Sequence, residues 1–188
     1  MQDFKAIEFH FSKIMEALGL DITDPNFIET PKRVSKLYKE IFVGLSENSE
    51  KSMEEILTKV FPCTFNEMVV TRNIESWSMC PHHFLPVKLK VDLAYIPDKS
   101  VVGLSKMPRI VHLLAAKPSL QEQLTIDIAN TIDVMLKPKG VIVRITGEHL
   151  CMKMRGVKSN GTDVVTTSFL GCFENLVSRT EFFTAIKS

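Results

Sequence analysis

Two short runs of soft metal ligands, Cys80-Pro81-His82-His83 and His149-Leu150-Cys151, constrain this chain more than any other feature. They hold two of its four cysteines and three of its five histidines. Thiolate with imidazole is the ligand chemistry that selects zinc. A fold that uses both runs must bring segments some seventy positions apart into contact. Together they offer more donors than one catalytic zinc needs, which leaves imidazoles over for proton transfer.

The remaining composition fits one globular domain of 188 residues, 45% hydrophobic and 24% charged. A net charge of +1 gives no reason to expect a nucleic acid or a membrane surface as partner. The start, Met1-Gln2-Asp3-Phe4-Lys5, opens into a helical pattern rather than a secretory signal. The longest apolar run, around Ile110–Ala116, is too short to span a bilayer. The expected location is therefore the cytoplasm, where cysteines serve as thiols or metal ligands. A disulfide between Cys80 and Cys151 is the alternative use of those two sulfurs. Cys63 and Cys172 have no ligand neighbours and are read as small hydrophobes.

Periodicity divides the chain into an N-terminal helical segment, residues 1–62, and a second unit of strands and helices, residues 63–188. Phe4, Ile7, Phe11, Ile14 and Leu18 have helical spacing over residues 3–19. Thr30-Pro31 reads as a cap followed by proline at the first helical position, with Val34, Leu37 and Ile41 as the stripe. Ser52-Met53-Glu54-Glu55 predicts a capping box opening a third helix. Strands are expected over 67–80, 84–96, 141–154 and 163–173, and helices over 105–116 and 119–136. This ββααββ order predicts an α+β fold: an antiparallel four-stranded sheet with two helices on one face. Four strands do not close a barrel. Their exposed edges lead us to expect subunits joined edge to edge.

In the predicted strand 141–154, Val141, Val143, Ile145, Gly147, His149 and Cys151 fall in one row. Gly147 leaves space beside the imidazole and the thiol. Cys80 and His83 are spaced to converge from a turn. Taking Cys80, His83 and Cys151 as ligands leaves zinc a fourth position for water. A closed four-ligand site would also use His82 or His149. A third arrangement has no metal and simply buries the cluster.

The motifs Cys80-x-His82-His83, Gly103-Leu104-Ser105-Lys106-x-x-Arg109-Ile110-Val111, Gln121-Glu122-x-Leu124-Thr125 and His149-x-Cys151 occur in that order. With Glu29-Thr30-Pro31-Lys32-Arg33-Val34 upstream, this series resembles the GTP cyclohydrolase I family from about residue 13 to the C-terminus. The resemblance implies the tunnelling fold, in which strands of several subunits close a barrel. It also implies a homodecamer of two pentamers with active sites at subunit interfaces. The implied reaction converts GTP and water into formate and 7,8-dihydroneopterin triphosphate, feeding folate, biopterin or deazapurine nucleoside synthesis.

By that resemblance, Cys80, His83 and Cys151 bind Zn2+, and His82 and His149 are the acid–base groups. Ser105 assists the later ribose rearrangement, and Gln121 and Glu122 hold guanine. Lys106, Arg109 and Arg155 hold the triphosphate, with Arg33 and Lys36 reaching in from an adjoining subunit. Pro81 stands where many relatives carry Glu, and the other motif positions are unaffected. Plainer readings exist for some of these residues. Ser119-Leu120-Gln121-Glu122 matches a capping box, which would occupy Glu122. The basic residues are also what a solvated helix face carries. Rival functions are another tunnelling-fold pterin or deazapurine enzyme, or a zinc-stabilised oligomeric binding module.

Overall fold

A computed structural model describes residues 2–187. Three helices come first: α1 (Phe4–Ala17), α2 (Thr30–Ile41) and α3 (Ser49–Leu57). Asp3 caps α1, its side chain accepting from the Ala6 amide. In α2 the expected cap Thr30 is instead the first helical residue, and Glu29 takes the cap position without a side-chain bond. Pro31 falls second in the first turn, where its missing N–H is still not needed. Helix α3 begins at Ser49, so Ser52 lies inside it and the expected box there is not formed.

The strands and helices that follow are β1 (Val60–Pro62), β2 (Val69–Met79), β3 (Pro86–Ile96), β4 (Ser100–Val102), α4 (Lys106–Ala115) and α5 (Gln121–Leu136). The chain ends with β5 (Gly140–His149), α6 (Leu150–Lys153), β6 (Val164–Gly171) and α7 (Leu176–Ala185). Strands β2-β3-β5-β6 form one antiparallel sheet in that order. The expected α+β class, with its four-stranded antiparallel sheet, is what the structure shows. β1 and β4, three residues each, pair separately; they are too short to register as a pattern in the sequence.

Helices α4 and α5 cover one face of the sheet. Ile110, Val111, Leu124, Ile128 and Ile132 meet Leu89, Val91, Leu93, Val143 and Ile145, all fully buried. Burying each such side chain contributes about 1.5–3 kcal/mol, so this interface is the main source of stability. The opposite face is split. At one end Ala94 and Ile142 pack under Phe173 and Phe182, from the segment that leads into α7 and from α7 itself. At the other end the same face is open and charged, with Glu75, Lys88 and Lys90 exposed. Between them Arg144 reaches Asp92 at 3.3 Å, and the Asp92 carboxylate also accepts from the Asn73 amide at the bulge in β2. No helix among the described residues is long and apolar enough to cross a membrane.

The register sets the site. The β2–β3 hairpin turns at Cys80–Leu85, and Val87 pairs with His149 at the end of β5. Strand β5 stops at His149 and turns into α6. Cys151 therefore sits on a helical turn rather than in the strand row expected of it. The two ligand runs meet at one end of the sheet because β3 and β5 are neighbours.

Candidate metal centre and active site

The Cys-Pro-His-His run is held as a tight loop. The Cys80 amide donates to Leu85 O at 2.9 Å, and the Phe84 amide donates to Cys80 O at 3.0 Å. Closing it puts Phe84 at φ 52°, a left-handed conformation that costs a bulky residue about 1–3 kcal/mol. The Phe84 ring packs edge-on against Phe42, 5.9 Å between centroids, where α2 ends. The end of α2 thus braces this loop.

Cys80, His83 and Cys151 offer one ligand atom each, all within 4.8 Å of one another. Cys80 Sγ lies 3.8 Å from His83 Nδ1. All four cysteines are free thiols, so Cys80 and Cys151 are not paired as a disulfide. Burial, and then the neighbouring Cys80 sulfur, push the Cys151 thiol above its ordinary value. Two sulfurs and an imidazole converging in this way, with one thiol reluctant to ionise, form a group fit to hold a soft divalent cation, whose charge would stabilise the thiolates.

The other histidines of the two runs stand beside this group. His82 Nδ1 is 3.9 Å from Cys80 Sγ. His149 precedes α6, and burial lowers its imidazole below the ordinary value, with the Glu122 carboxylate acting in the opposite sense. Its Nε2 is 2.9 Å from Gln121 Oε1. Arg155 approaches from the loop after α6, with a guanidinium nitrogen 2.9 Å from His83 Nε2. The structure therefore gathers Cys80, His82, His83, Gln121, Glu122, His149, Cys151 and Arg155 at one end of the sheet.

Other expected site residues lie apart from it. Lys106 and Arg109, at the start of α4, line a cleft with Glu55 and Lys59 on the α3 side. Ser105 precedes α4 and its hydroxyl makes no cap bond. Arg33 and Lys36 are exposed on α2. Among the described residues, no hydrogen bond or ion pair ties any of these five to the triad.

The capping box expected at Ser119–Glu122 is absent. The Ser119 amide donates to Met79 O at the end of β2, its hydroxyl donates to Leu120 O, and Leu120 takes the cap position. The Glu122 carboxylate is exposed and, among the described residues, accepts no hydrogen bond. Two threonines support Gln121: Thr125, which the sequence marks only as a motif position, and Thr166, which it does not mark. Thr125 Oγ1 donates to Gln121 O at 2.7 Å and lies 2.6 Å from Thr166 Oγ1. Thr125 stands four positions after Gln121, the one local signal of that contact.

Fold and site together define an α+β protein with a Cys-His-Cys triad fit to hold a metal ion at one end of its sheet and two further histidines beside it. Residues 7–187 match the family described as GTP cyclohydrolase I. A GTP cyclohydrolase 1 of Clostridium perfringens is 46% identical over 160 residues, 85% of this chain and 84% of that protein. One of Streptococcus mutans is 42% identical over 188 residues, covering 99% and 96%. Among solved structures, the archaeosine synthase QueF-Like in its apo form is 18% identical with a TM-score of 0.45, over 58% of this chain and 96% of that one. This chain belongs to the GTP cyclohydrolase I family.

Proposed function

We propose that the chain hydrolyses GTP to formate and 7,8-dihydroneopterin triphosphate, using a zinc ion held by Cys80, His83 and Cys151. The observation that carries this reading is the convergence of those three ligand atoms within 4.8 Å, in a family member, beside His149. Zinc, when bound there, supplies Lewis-acid activation of water at neutral pH.

The chain's own groups account for the rest. Opening the imidazole ring of guanine needs a proton on the departing nitrogen, and His149 supplies it with His82 assisting. Ser105 serves the later rearrangement of the ribose. Lys106, Arg109 and Arg155 hold the triphosphate, which needs several cationic donors. The test is direct: purified protein with GTP, scored for formate and for oxidised-pterin fluorescence. Both products are expected. Nucleotide consumption without both would mean redirected chemistry, and neither product would leave a binding module.

Glu122 is the guanine contact. With no capping box to occupy it, its exposed carboxylate is available to accept from the guanine N1–H and amino group. A bidentate contact of this kind is worth about 1–3 kcal/mol. Glu122→Gln is therefore expected to weaken GTP binding roughly 10- to 100-fold while leaving the melting temperature within a degree or two of wild type. An equal loss of stability would return Glu122 to a structural role.

The active unit is a ring of subunits, by our reading a decamer of two pentamers whose strands close a tunnelling-fold barrel. Its support is the sheet order, which leaves β2 and β6 as edges, and the exposure of Arg33 and Lys36, which no hydrogen bond or ion pair among the described residues ties to the triad. Residues 1–62 and 63–188 then work as one unit, the first lending Arg33 and Lys36 to a neighbour's site. A nucleotide substrate and thiol ligands suit the cytoplasm. Light scattering is expected to give a mass many times the 21.3 kDa of one chain. In that assembly Arg33→Ala weakens GTP binding more than Lys32→Ala, since Lys32 faces Glu29 on its own helix at 3.7 Å. Equal effects would remove the intersubunit role.

A further inference from the structure

We propose that Gln121 is a positioning residue for His149, fixing that ring and its tautomer, and that its side chain does not contact guanine. The inference rests on the reading of His149 as proton donor. Gln121 opens α5 and is only 5% exposed. Its Nε2 faces three acceptors: Ile145 O at 3.2 Å, Val164 O at 3.0 Å and Thr166 Oγ1 at 3.1 Å. Two of these are backbone carbonyls, which only accept. The NH2 end of the carboxamide must therefore face them, and the amide cannot be turned over.

Thr166 completes the assignment. Thr125 donates its hydroxyl proton to Gln121 O, so the 2.6 Å contact between the two threonines requires Thr166 to donate to Thr125. Thr166 Oγ1 is then an acceptor for Gln121 Nε2. Every group below the carboxamide enforces one orientation. Gln121 Oε1 faces His149 Nε2 at 2.9 Å, and a carbonyl oxygen only accepts. His149 Nε2 must carry the hydrogen, which leaves Nδ1 bare in the neutral ring. Nδ1 is thus the ring nitrogen that the contact with Gln121 leaves free.

Gly147 gives independent support. A Cβ built on it would collide with Gln121 Oε1, and would stand 2.9 Å from Gln121 Cδ and 3.2 Å from His149 Nε2. The missing side chain is the space through which the amide and imidazole meet. Gly147→Ala breaks that contact while removing no polar group. Gln121→Met removes it directly.

The test uses the zinc-loaded assembly with three measurements on wild type, Gln121→Met and Gly147→Ala: kcat, KM for GTP, and magic-angle-spinning NMR of 15N-histidine-labelled protein. His149→Ala identifies the His149 signals. Misplacing a proton-transfer group costs roughly 10- to 100-fold in rate. Both variants are expected to lose that much kcat with KM within about twofold. Wild-type His149 is expected as the Nε2–H tautomer, with that signal lost in both variants. A raised KM with kcat kept, or an Nδ1–H tautomer in wild type, would overturn the proposal. If Gln121→Met does not fold, Gly147→Ala decides it. Failure of wild type to release formate would instead sink the proposed function, while the tautomer would still decide whether Gln121 orients His149.

Discussion

Cys151→Ser is expected to purify as a folded protein that has lost its metal and its formate release. A zinc site contributes roughly 10–16 kcal/mol over four ligands, so one ligand accounts for about 3 kcal/mol. That is roughly a hundredfold in affinity, and activity at limiting zinc should fall at least as far. Cys151 is half-buried on the short helix α6, at the margin of the α4–α5 core, and serine replaces only its sulfur, so the melting temperature of metal-free protein should move little. Cys172→Ser is the control. Burial raises that thiol too, but it has no ligand neighbours and should retain full metal content. The raised Cys151 thiol adds a second signature. Its proton must leave when metal enters, so uptake by metal-free protein acidifies a weakly buffered solution, and uptake weakens as pH falls. Cys151→Ser should release fewer protons. Metal content equal to wild type in Cys151→Ser, measured by atomic emission, would remove Cys151 from the ligand set.

The same residue shows where sequence reading stops. Val141, Val143 and Ile145 are legible as a buried row because strand alternation is a local rule. Extending the row to Cys151 fails, because β5 ends without glycine or proline to mark it. Leu150–Lys153 turns into helix, and nothing in those four residues announces the change. The meeting of the two runs was legible from ligand chemistry. Its cause, the adjacency of β3 and β5, is a matter of topology.

Capping shows a similar limit. Ser119-x-x-Glu122 has the spacing of a box, yet Pro118 and Ser119 are drawn onto the end of β2, where the Ser119 amide meets Met79 O. A tertiary contact outcompetes the local one. For Gln121 the reason is stronger still. The acceptors of its amide belong to residues 24, 43 and 45 positions away, so no window of sequence contains its role.

His149→Ala is the second large effect, and it separates proton transfer from metal binding. General acid catalysis contributes typically about 10²–10⁴-fold, so kcat should drop by that range. Metal content and GTP affinity should stay near wild type, because His149 is outside the triad and the guanine contact is assigned to Glu122. Loss of the imidazole also opens space beside Gly147, so added imidazole should restore part of the rate. A Cys151 variant has the opposite profile, losing metal first and responding to zinc rather than imidazole. His82→Ala should show a smaller fall, since His82 is exposed and stands 3.9 Å from Cys80 Sγ. Near-normal formate release from zinc-loaded His149→Ala would move the proton to His82. It would also deprive the Gln121–His149 bond of its catalytic purpose, leaving the buried carboxamide a structural tie between α5 and the ends of β5 and β6.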